Sequence, residues 1–259
     1  MGLTLTHIGG PTVLVELDGW RILTDPTFDP PGRTYGFALG TSSTKTAGPA
    51  LTPVELGPVD AVLLSHDHHA DNLDDSGRAL LTDVSAVITT VPGARRINLP
   101  GTTGLRAGGT HILRASGKPD LTVTATPCRH GPPLSRAVVG SVIGFALSLD
   151  ETEQVQLWIT GDTVLHRAVR TFASSHRMDV VLMHLGRVRF SLTGPLRYSM
   201  DSRDGLELLE LARPRRAVPV HFEGWSHFSE LEKGARSRLT PDSTGDIVQW
   251  LEPGIPTPV

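Results

Sequence analysis

Residues 65–74 read Ser65-His66-Asp67-His68-His69-Ala70-Asp71-Asn72-Leu73-Asp74. They directly follow segment 60–65, whose apolar centre is typical of a buried strand. Three histidines and three aspartates fall within nine residues. Neutral imidazole and carboxylate are the usual ligands of a divalent metal such as zinc. A strand end suits a metal site, because the strand holds the backbone while the turn lets several side chains converge. A polar loop with coincidental histidines is the alternative, but histidine is rare and the position favours a metal site.

Three later apolar segments also end in a potential metal ligand. The pairs are His130 after segment 121–125, Asp162 after 157–160 and His221 after 217–220. Each residue taken alone has an ordinary explanation, such as a helix N-cap for Asp162. Four strand ends that all offer ligands are hard to obtain by chance, so the pattern predicts one shared site.

The complete pattern resembles the metallo-β-lactamase superfamily, and most of all its branch with L-ascorbate-6-phosphate lactonase and N-acyl-phosphatidylethanolamine-hydrolysing phospholipase D. The resemblance extends over nearly the whole chain. Its motifs are Thr6-His7-Ile8-Gly9, segments 15–26 and 63–74, Thr126-Pro127 to His130, Thr160-Gly161-Asp162-Thr163 and Val218-Pro219-Val220-His221. Strand runs mixed with helices already favour packed sheets. The resemblance implies an α/β fold, an αββα sandwich of two mixed β-sheets with helices on both outer faces, as one domain over residues 1–259.

The motif at residues 66–72 departs from the family pattern H-x-H-x-D-H. No register places histidine, histidine, aspartate and histidine at relative positions zero, two, four and five. In the slightly preferred register, His69 and Asp71 keep their places, Asp67 replaces the first histidine and Asn72 replaces the last. With a one-residue insertion, His66 is the first ligand instead. His69 and Asp71 are therefore the firmest local candidates.

In the family, one metal position takes two motif histidines and a strand-end histidine, and the second takes the motif aspartate and histidine with the final histidine. A bridging aspartate joins them. By this resemblance the candidate ligands are His66, His68, His69, Asp71, His130, Asp162 and His221. Because Asn72 is a weaker ligand than histidine, the second position is expected to bind weakly or to select a harder ion such as Mn²⁺. One or two ions, zinc or manganese, are expected.

The resemblance implies a metal-dependent hydrolase that uses a metal-activated water on a small phosphorylated, lactone or phosphodiester substrate. Asp71 is the expected catalytic residue, since as ligand and hydrogen-bond acceptor it would orient that water. No G-x-S-x-G elbow and no Walker-type loop is present to supply another mechanism. The altered motif keeps a second hypothesis open, a non-catalytic or metal-poor binding protein with this fold.

Composition limits the partners. With 39% hydrophobic and 20% charged residues and a net charge of −3, the chain is typical of a globular protein without a nucleic-acid footprint. Cys128 is the sole cysteine, which excludes an internal disulfide, and it is interpreted as a small buried filler. No signal peptide and no apolar run long enough for a membrane helix is found, so a cytoplasmic protein is expected, with a homo-oligomer left open.

Several other residues are weaker candidates. His227, beside Trp225 and Phe228, is a candidate for the substrate mouth, and His184 for the face of the site. Arg187, Arg189 and Arg197 are candidates for holding an anionic substrate, although solvated loop charge is the stronger interpretation. The remaining histidines, His7, His111, His166 and His176, are expected to be structural or exposed.

Some expectations concern local structure. Segment 25–58 is predicted to be a long functional loop, with Phe28, Tyr35 and Phe37 as a candidate apolar rim. Segment 163–172 is expected to be helical. Segments 138–149 and 154–160 are expected to pair as strands around a turn at Asp150-Glu151.

Overall fold

In the computed structural model, which describes residues 2–149 and 154–259, the strands form two large sheets and a small hairpin. In chain order the strands are β1 (Leu3–Gly9), β2 (Thr12–Leu17), β3 (Trp20–Thr24), β4 (Thr34–Gly36), β5 (Ser42–Thr44), β6 (Ala61–Leu63), β7 (Ala86–Thr90), β8 (Thr102–Leu105), β9 (Thr110–Leu113), β10 (Leu121–Pro127), β11 (Ile143–Leu149), β12 (Val155–Ile159), β13 (Met178–His184), β14 (Arg216–Val220) and β15 (Thr257–Pro258).

The helices connect and cover these strands. They are α1 (Pro53–Leu56), α2 (Asp75–Leu80), α3 (Val91–Ile97), α4 (Arg136–Val139), α5 (Arg167–Ser175), α6 (Ser202–Ala212), α7 (Glu232–Arg236) and α8 (Pro241–Thr244), with short 3₁₀ turns at Ala38–Gly40, Leu81–Asp83, Ser191–Thr193 and Gly245–Ile247. The α6 helix shows how local sequence sets a boundary. Asp201 caps it by accepting bonds from the backbone amides of Arg203 and Asp204, and Arg213 ends it in the left-handed conformation.

Both large sheets are mixed. The first has the order β15-β1-β2-β3-β6-β7-β8, with antiparallel pairing up to β3 and parallel pairing from β3 to β8. The second has the order β14-β13-β12-β11-β10-β9, antiparallel from β9 to β12 and parallel from β12 to β14. Strands β4 and β5 pair with each other.

The apolar core lies in three layers. The central layer joins the inner faces of the two sheets, with Val15 and Leu63 from the first and Phe145 and Val180 from the second in one buried cluster. A second cluster packs α5 and α6 on the outer face of the second sheet, around Trp158. A third covers the outer face of the first sheet, where the leucines and valines of β2, β6 and β7 meet side chains of α1 and α2. The predicted αββα sandwich is confirmed.

One edge of the sandwich collects the ends of several strands. Strand β11 is antiparallel to both β10 and β12, so β10 and β12 run in the same direction. Strands β13 and β14 are parallel to β12 and therefore share that direction. In the first sheet β3 and β6 are parallel as well. The residues that follow these strands therefore meet at the same edge, which is where the candidate ligands lie.

The region between β10 and β12 differs from the sequence-based expectation. The strand expected over 138–149 begins only at Ile143, because Arg136–Val139 forms α4 and Gly140, with a φ of 73°, ends that helix. Gly140 adopts the left-handed conformation that glycine tolerates best. The turn expected at Asp150-Glu151 lies outside the described residues.

The helix expected over 163–172 starts later, at Arg167, because the His166 side chain caps the helix by accepting a bond from the amide of Ala168. The long loop over 25–58 is interrupted by the β4–β5 hairpin and by α1. Helix α1 has Thr52 and Glu55 in a capping box, a signal that was present in the sequence. No helix of the described residues has the length and apolarity that a membrane crossing requires.

Candidate metal centre

Three histidines form the first half of the candidate metal centre. His66 and His69 follow β6, and His130 follows β10 from the opposite sheet. Their ring centroids are 4.9 Å apart for His66 and His69, 5.4 Å for His66 and His130, and 5.1 Å for His69 and His130. The Nε2 of His66 lies 3.1 Å from Nδ1 of His69. The three buried rings thus meet at one point between the sheets.

Backbone and hydroxyl groups hold two of these rings from behind. His66 Nδ1 lies 2.9 Å from Ser65 Oγ, and His130 Nδ1 lies 2.7 Å from the carbonyl oxygen of Tyr198. When one ring nitrogen is engaged in this way, the other is directed at the centre, and such supports are typical of metal-ligating histidines.

The ionisation of these rings suits metal ligation. Burial, with neighbouring imidazoles adding to it, lowers the pKa of His66 and His69 well below the usual value for histidine. Burial also lowers the pKa of His130, to about 4, although Asp71 opposes the fall. A histidine must be neutral to donate its lone pair to a cation, and these three are neutral near pH 7.

Two carboxylates and one imidazole form the second half. His221 Nε2 lies 3.3 Å from Asp162 Oδ2 and 3.7 Å from Asp71 Oδ2, and all three side chains are buried. The Nδ1 of His221 faces the Leu185 carbonyl at 3.4 Å. The candidate ligand atoms of these three residues lie within 4.8 Å of one another, as do those of His66, His130 and Asp162. Asp162 is common to both groups, so it lies between the two halves.

The second half contains two carboxylates but only one imidazole, so its buried negative charge is not fully compensated. Burial raises the pKa of Asp162, with His221 opposing the rise and Asp71 adding to it. Burial alone would raise the pKa of Asp71 too, but the imidazoles of His227 and His221 lower it overall. Burial disfavours a charged His221, yet the two carboxylates outweigh it and raise the pKa of His221. Two converging buried carboxylates are the environment that a divalent cation stabilises most.

The residues present fit a bound cation. The fit is shown by polar atoms that are buried without a hydrogen-bond partner in the described part of the chain: Oδ1 of Asp71, both carboxylate oxygens of Asp162, Nε2 of His221 and Oδ1 of Asn72. Buried polar atoms are normally paired, because an unpaired one costs on the order of 1–3 kcal/mol. The convergence of the Asp71, Asp162 and His221 atoms is explained if a metal ion is their partner.

Two residues of the 66–72 motif face elsewhere. The Asp67 carboxylate accepts a bond from Arg96 Nε at 2.7 Å, which favours the register that starts at His66 over the one that starts at Asp67. His68 was a candidate ligand, and it lies close to His66 and His69. Its Nε2 is bonded to the carbonyl of Val139, however, and its Nδ1 lies 3.8 Å from Asp67, so the structure does not aim it at the centre.

Asp25, which the sequence pattern did not single out as a site residue, lies beside the centre together with His184 and His227, which were weaker candidates. Asp25 is fully buried behind the centre, where its Oδ1 accepts a bond from the Ser65 amide at 2.6 Å. His184 Nε2 lies 3.9 Å from Asp25 Oδ2. His227 Nε2 lies 3.1 Å from Asp71 Oδ2. Asp25 follows β3, so the strand-end rule that found the other residues could have found it.

A narrow pocket opens onto the centre beside His69, Asp71 and His130. Its volume is only about 20 Å³, and its other walls are mainly apolar: Phe37, Leu39, Val138, Val139, Val188, Phe190 and Tyr198. Phe37 comes from the long loop and packs at 5.2 Å from the His69 ring. Of the three aromatic residues expected as a rim in that loop, Phe37 alone lines this pocket.

The three loop arginines do not face this pocket. Arg197 is bonded to Asp201 at 2.9 Å and to Asp204 at 3.0 Å, and Arg187 lies 3.8 Å from Asp201. Arg189 donates to the carbonyl of Gly194. These contacts agree with the interpretation of the arginines as loop charge rather than a substrate clamp.

A second, wider cleft of about 620 Å³ contacts His130 and Cys128 from another side. Of the residues that the structure describes, four arginines and no carboxylate line it: Arg95, Arg106, Arg129 and Arg136. Burial raises the pKa of the Cys128 thiol well above its usual value, and Sγ donates to the Thr160 carbonyl. The thiol is therefore protonated and agrees with the interpretation of Cys128 as a filler.

Comparison with known families finds a match over most of the chain. A family model described as "Beta-lactamase superfamily domain" matches residues 20–222. Two curated relatives are both named metal-dependent hydrolases. One, from Carboxydothermus hydrogenoformans, is 26% identical over 226 residues, which cover 86% of either chain. The other, from Caldivirga maquilingensis, is 27% identical over 251 residues, which cover 97% of this chain and 92% of the relative.

Solved structures with a similar fold include an isothiocyanate hydrolase from Delia radicum gut bacteria, with a TM-score of 0.80, 20% identity and 98% coverage of both chains. A metallo hydrolase from Ignicoccus hospitalis has a TM-score of 0.73 and 20% identity, over 100% of this chain and 99% of the other. At these identities the likeness concerns the fold.

Proposed function

The chain belongs to the metallo-β-lactamase superfamily, and from this premise we propose that it is a hydrolase that uses a divalent metal to activate water against a small-molecule substrate. One observation carries the proposal. Two groups of buried imidazoles and carboxylates share Asp162, and in one of them Asp71, Asp162 and His221 leave ligand atoms without a hydrogen-bond partner within the described residues. The names of the relatives, metal-dependent hydrolases, support the same reaction class.

We assign the ligands by their place in the structure. His66, His69 and His130 form an imidazole-rich position that suits zinc. Asp71 and His221 form a second position with more oxygen, which suits zinc or manganese, and Asp162 lies between the two. A bound divalent cation supplies Lewis acidity, which lowers the pKa of water and polarises the bond to be broken. One or two ions are compatible with this set.

Asp71 is the proposed catalytic residue. It lines the pocket, and its Oδ1 has no hydrogen-bond partner among the described residues. Because its pKa is held low, the carboxylate is ionised near neutral pH and can accept a hydrogen bond from water. That bond would orient the water toward a substrate seated against Phe37 and Phe190.

The pocket favours a substrate with a neutral scissile group and an apolar substituent, such as a lactone or a related ester. Its walls beside the ligands are mainly valine, leucine, phenylalanine and tyrosine side chains. No arginine or lysine lines it. An anionic group placed there would lose hydration without gaining a cationic partner of the protein.

The arginine-lined cleft favours a second candidate, a phosphorylated or phosphodiester substrate. Arg106 and Arg95 line this cleft, which reaches His130, and guanidinium groups recognise phosphate through paired hydrogen bonds. In this case the anionic part of the substrate would lie in the cleft and only the scissile bond at the metal centre.

A substrate panel with two variants distinguishes these candidates. Purified protein loaded with zinc or manganese is assayed on aryl- and alkyl-substituted lactones, phosphomonoesters and phosphodiesters. For the lactone candidate, Phe190→Ala raises KM about 10-fold or more, while Arg106→Ala leaves the kinetics unchanged. For the phosphate candidate the two effects are reversed.

A third outcome defeats both. Protein purified without chelator that contains no metal, takes none up, and hydrolyses nothing in the panel would be a binding protein with this fold. Elemental analysis of the purified chain, before any assay, detects this outcome.

A further inference from the structure

The second half of the centre lacks the imidazole that the family motif places at its last position. Asn72 occupies that place, directly after Asp71. Its amide nitrogen faces Ser65 Oγ at 3.4 Å, and the amide lies against the carboxylates of Asp25 and Asp162. Asn72 offers a cation only its neutral carbonyl oxygen Oδ1, which has no hydrogen-bond partner within the described residues and is a weaker ligand than an imidazole nitrogen.

Another imidazole reaches the same carboxylate from the far end of the chain. His227 lies in the loop after β14, and its Nε2 is 3.1 Å from Oδ2 of Asp71. His221 Nε2 approaches the same oxygen at 3.7 Å. The His227 side chain is only 1% exposed. Two imidazoles from one loop region therefore converge on one carboxylate.

The surroundings of His227 give its ring nitrogens nothing else to bind. Neither Nδ1 nor Nε2 forms a hydrogen bond within the described residues, since the contact to Asp71 is close but not aligned as one. The ring is packed among the aromatic rings of Phe228, Phe190 and Phe37, at centroid distances of 4.6, 5.6 and 5.8 Å. A buried imidazole normally satisfies both nitrogens, so one with both unpaired indicates a missing partner.

The loop that carries His227 is fixed on both sides. The backbone carbonyl of His227 accepts a hydrogen bond from the amide of Arg189 at 3.2 Å. The next residue, Phe228, forms a β-bridge with Val188. This anchoring holds the ring beside Asp71, as a ligand position requires.

We propose that His227 supplies the imidazole that Asn72 does not, and so completes the second metal position with Asp71, Asp162 and His221. The inference rests on the proposed function, since it presupposes a metal in this centre. His227 lies outside the 66–72 motif. It follows β14 and comes six residues after His221, the position of the family's final histidine.

The test measures metal binding directly, apart from activity. Metal-free protein is titrated with Zn²⁺ by calorimetry and with Co²⁺ by its visible absorption, and bound metal is counted by elemental analysis. The variants are His227→Ala, His227→Gln, Asn72→His and the double variant Asn72→His/His227→Ala. His176→Ala is the matched control, because His176 is an exposed histidine stacked on Phe172 at 4.1 Å.

The wild type is expected to bind two equivalents. Each single His227 variant should lose affinity for the second equivalent by about 100-fold or more while the first is kept, given that even outer supports of a metal ligand are worth about 10–100-fold. The Co²⁺ spectrum of the second equivalent should change or disappear. In the double variant the new histidine should restore at least part of that affinity, and His176→Ala should match the wild type.

Two results would overturn the proposal. One is a His227→Gln variant, folded by circular dichroism, that binds both equivalents with wild-type affinity and spectrum. The other is a wild type that binds a single ion at every Zn²⁺ concentration used. Either result leaves the proposed function intact, whereas a wild type that binds no metal would defeat the proposed function itself.

Discussion

At the scale of single residues, three imidazoles of the candidate centre are supported on the side away from the other ligands. The Tyr198 carbonyl holds His130, Ser65 Oγ holds His66, and the Leu185 carbonyl faces His221. The free nitrogens and the buried carboxylates then converge on each other. Such an arrangement is strained without a cation and stabilised with one.

A substitution at Asp162 tests whether the buried carboxylates destabilise the metal-free protein and bind the cation. Asp162→Asn keeps the side-chain volume but removes a charge that burial disfavours. We expect zinc affinity to fall by about 100-fold or more, hydrolysis to be lost, and the metal-free variant to be at least as stable as the metal-free wild type. Zinc calorimetry and urea unfolding in EDTA measure the two effects. Unchanged zinc affinity would contradict the assignment of Asp162 as a ligand.

Asp67 serves stability rather than the centre. Burial alone would raise its pKa, but the hydrogen bonds of Arg96 and His68 lower it overall. Since the folded pKa lies below the unfolded value of about 3.9, the stabilisation is complete well above that pH and is lost as the pH falls below it. Asp67→Asn should therefore lower the free energy of unfolding by about 1–3 kcal/mol at pH 7 and by less at pH 3.

Urea unfolding at both pH values checks this prediction. Asp120→Asn is the matched control, because the ion pair of Asp120 with Arg114 is largely exposed and should contribute little. An Asp67→Asn variant as stable as the control at pH 7 would show that the pair with Arg96 is not stabilising.

At the scale of elements, tight turns after the strands bring the ligands to one edge. His221 itself has a positive φ of 63°, and its amide bonds the carbonyl of Gly10 at 3.0 Å. Non-glycine residues rarely adopt this conformation, and where they do the surrounding structure enforces it. Gly186, which follows β13 with a φ of 85°, leaves the space that this turn needs.

Gly186→Ala should disturb the centre from a distance. An added Cβ would lie 2.3 Å from the carbonyl oxygen of His221 and 2.7 Å from the Phe228 ring, and the φ of 85° is unfavourable for alanine. We expect a loss of about 1–3 kcal/mol in unfolding free energy together with weaker zinc binding.

Gly194→Ala is the control for backbone strain alone, because its φ is 63° but no atom lies within 4 Å of the added Cβ. It should lose about 1 kcal/mol and keep zinc affinity. Thermal unfolding and zinc calorimetry of both variants separate the two effects. Equal zinc affinity in the two variants would mean that the turn at Gly186 does not position His221.

At the scale of the whole molecule, the centre joins the two sheets. The first sheet supplies His66, His69 and Asp71 through the loop after β6, and the second supplies His130, Asp162 and His221. A cation bound between them would link the two halves of the sandwich. Metal binding should therefore stabilise the fold as a unit and not only a loop.

Removal of metal should lower the melting temperature. A ligand at 100 times its Kd stabilises the folded state by about 2.7 kcal/mol, which corresponds to roughly 5–10 °C in a chain of this size. Calorimetric scans with EDTA and after return of zinc or manganese measure the shift. Asp162→Asn should show little of it, and a wild type with the same Tm in EDTA and in excess zinc would contradict the prediction.

Much of the fold was predictable from local patterns. Apolar strand segments ending in polar ligands predicted the shared site where His130, Asp162 and His221 lie, strand runs mixed with helices favoured packed sheets, and the family resemblance of the motifs implied the αββα sandwich. The strand boundary near α4 was not predictable. Val138 and Val139 have the β-branched side chains that favour strands, and yet both lie in the short helix α4, which ends at Gly140. There the tertiary environment overrides local propensity.

The residue register at 66–72 shows the limit for the site. From the sequence, Asp67 and His66 competed for the first position, with the register that starts at Asp67 slightly preferred, because spacing alone permits both. The distinction depends on Arg96, which is 29 residues away in the chain and bonds Asp67. His227 likewise became significant only through its distance to Asp71.

By itself the sequence determined the strand-end pattern and the chemical character of the centre, because hydrophobic periodicity and residue type act over neighbouring positions, and the resemblance of its motifs to the family implied the fold class. The tertiary structure decided which imidazoles and carboxylates share a point, which histidines face elsewhere, and what surrounds the opening. Those features depend on contacts between segments up to about 200 residues apart, such as Gly10 with Glu223. Such contacts form only when the two sheets pack, and local sequence carries no record of them.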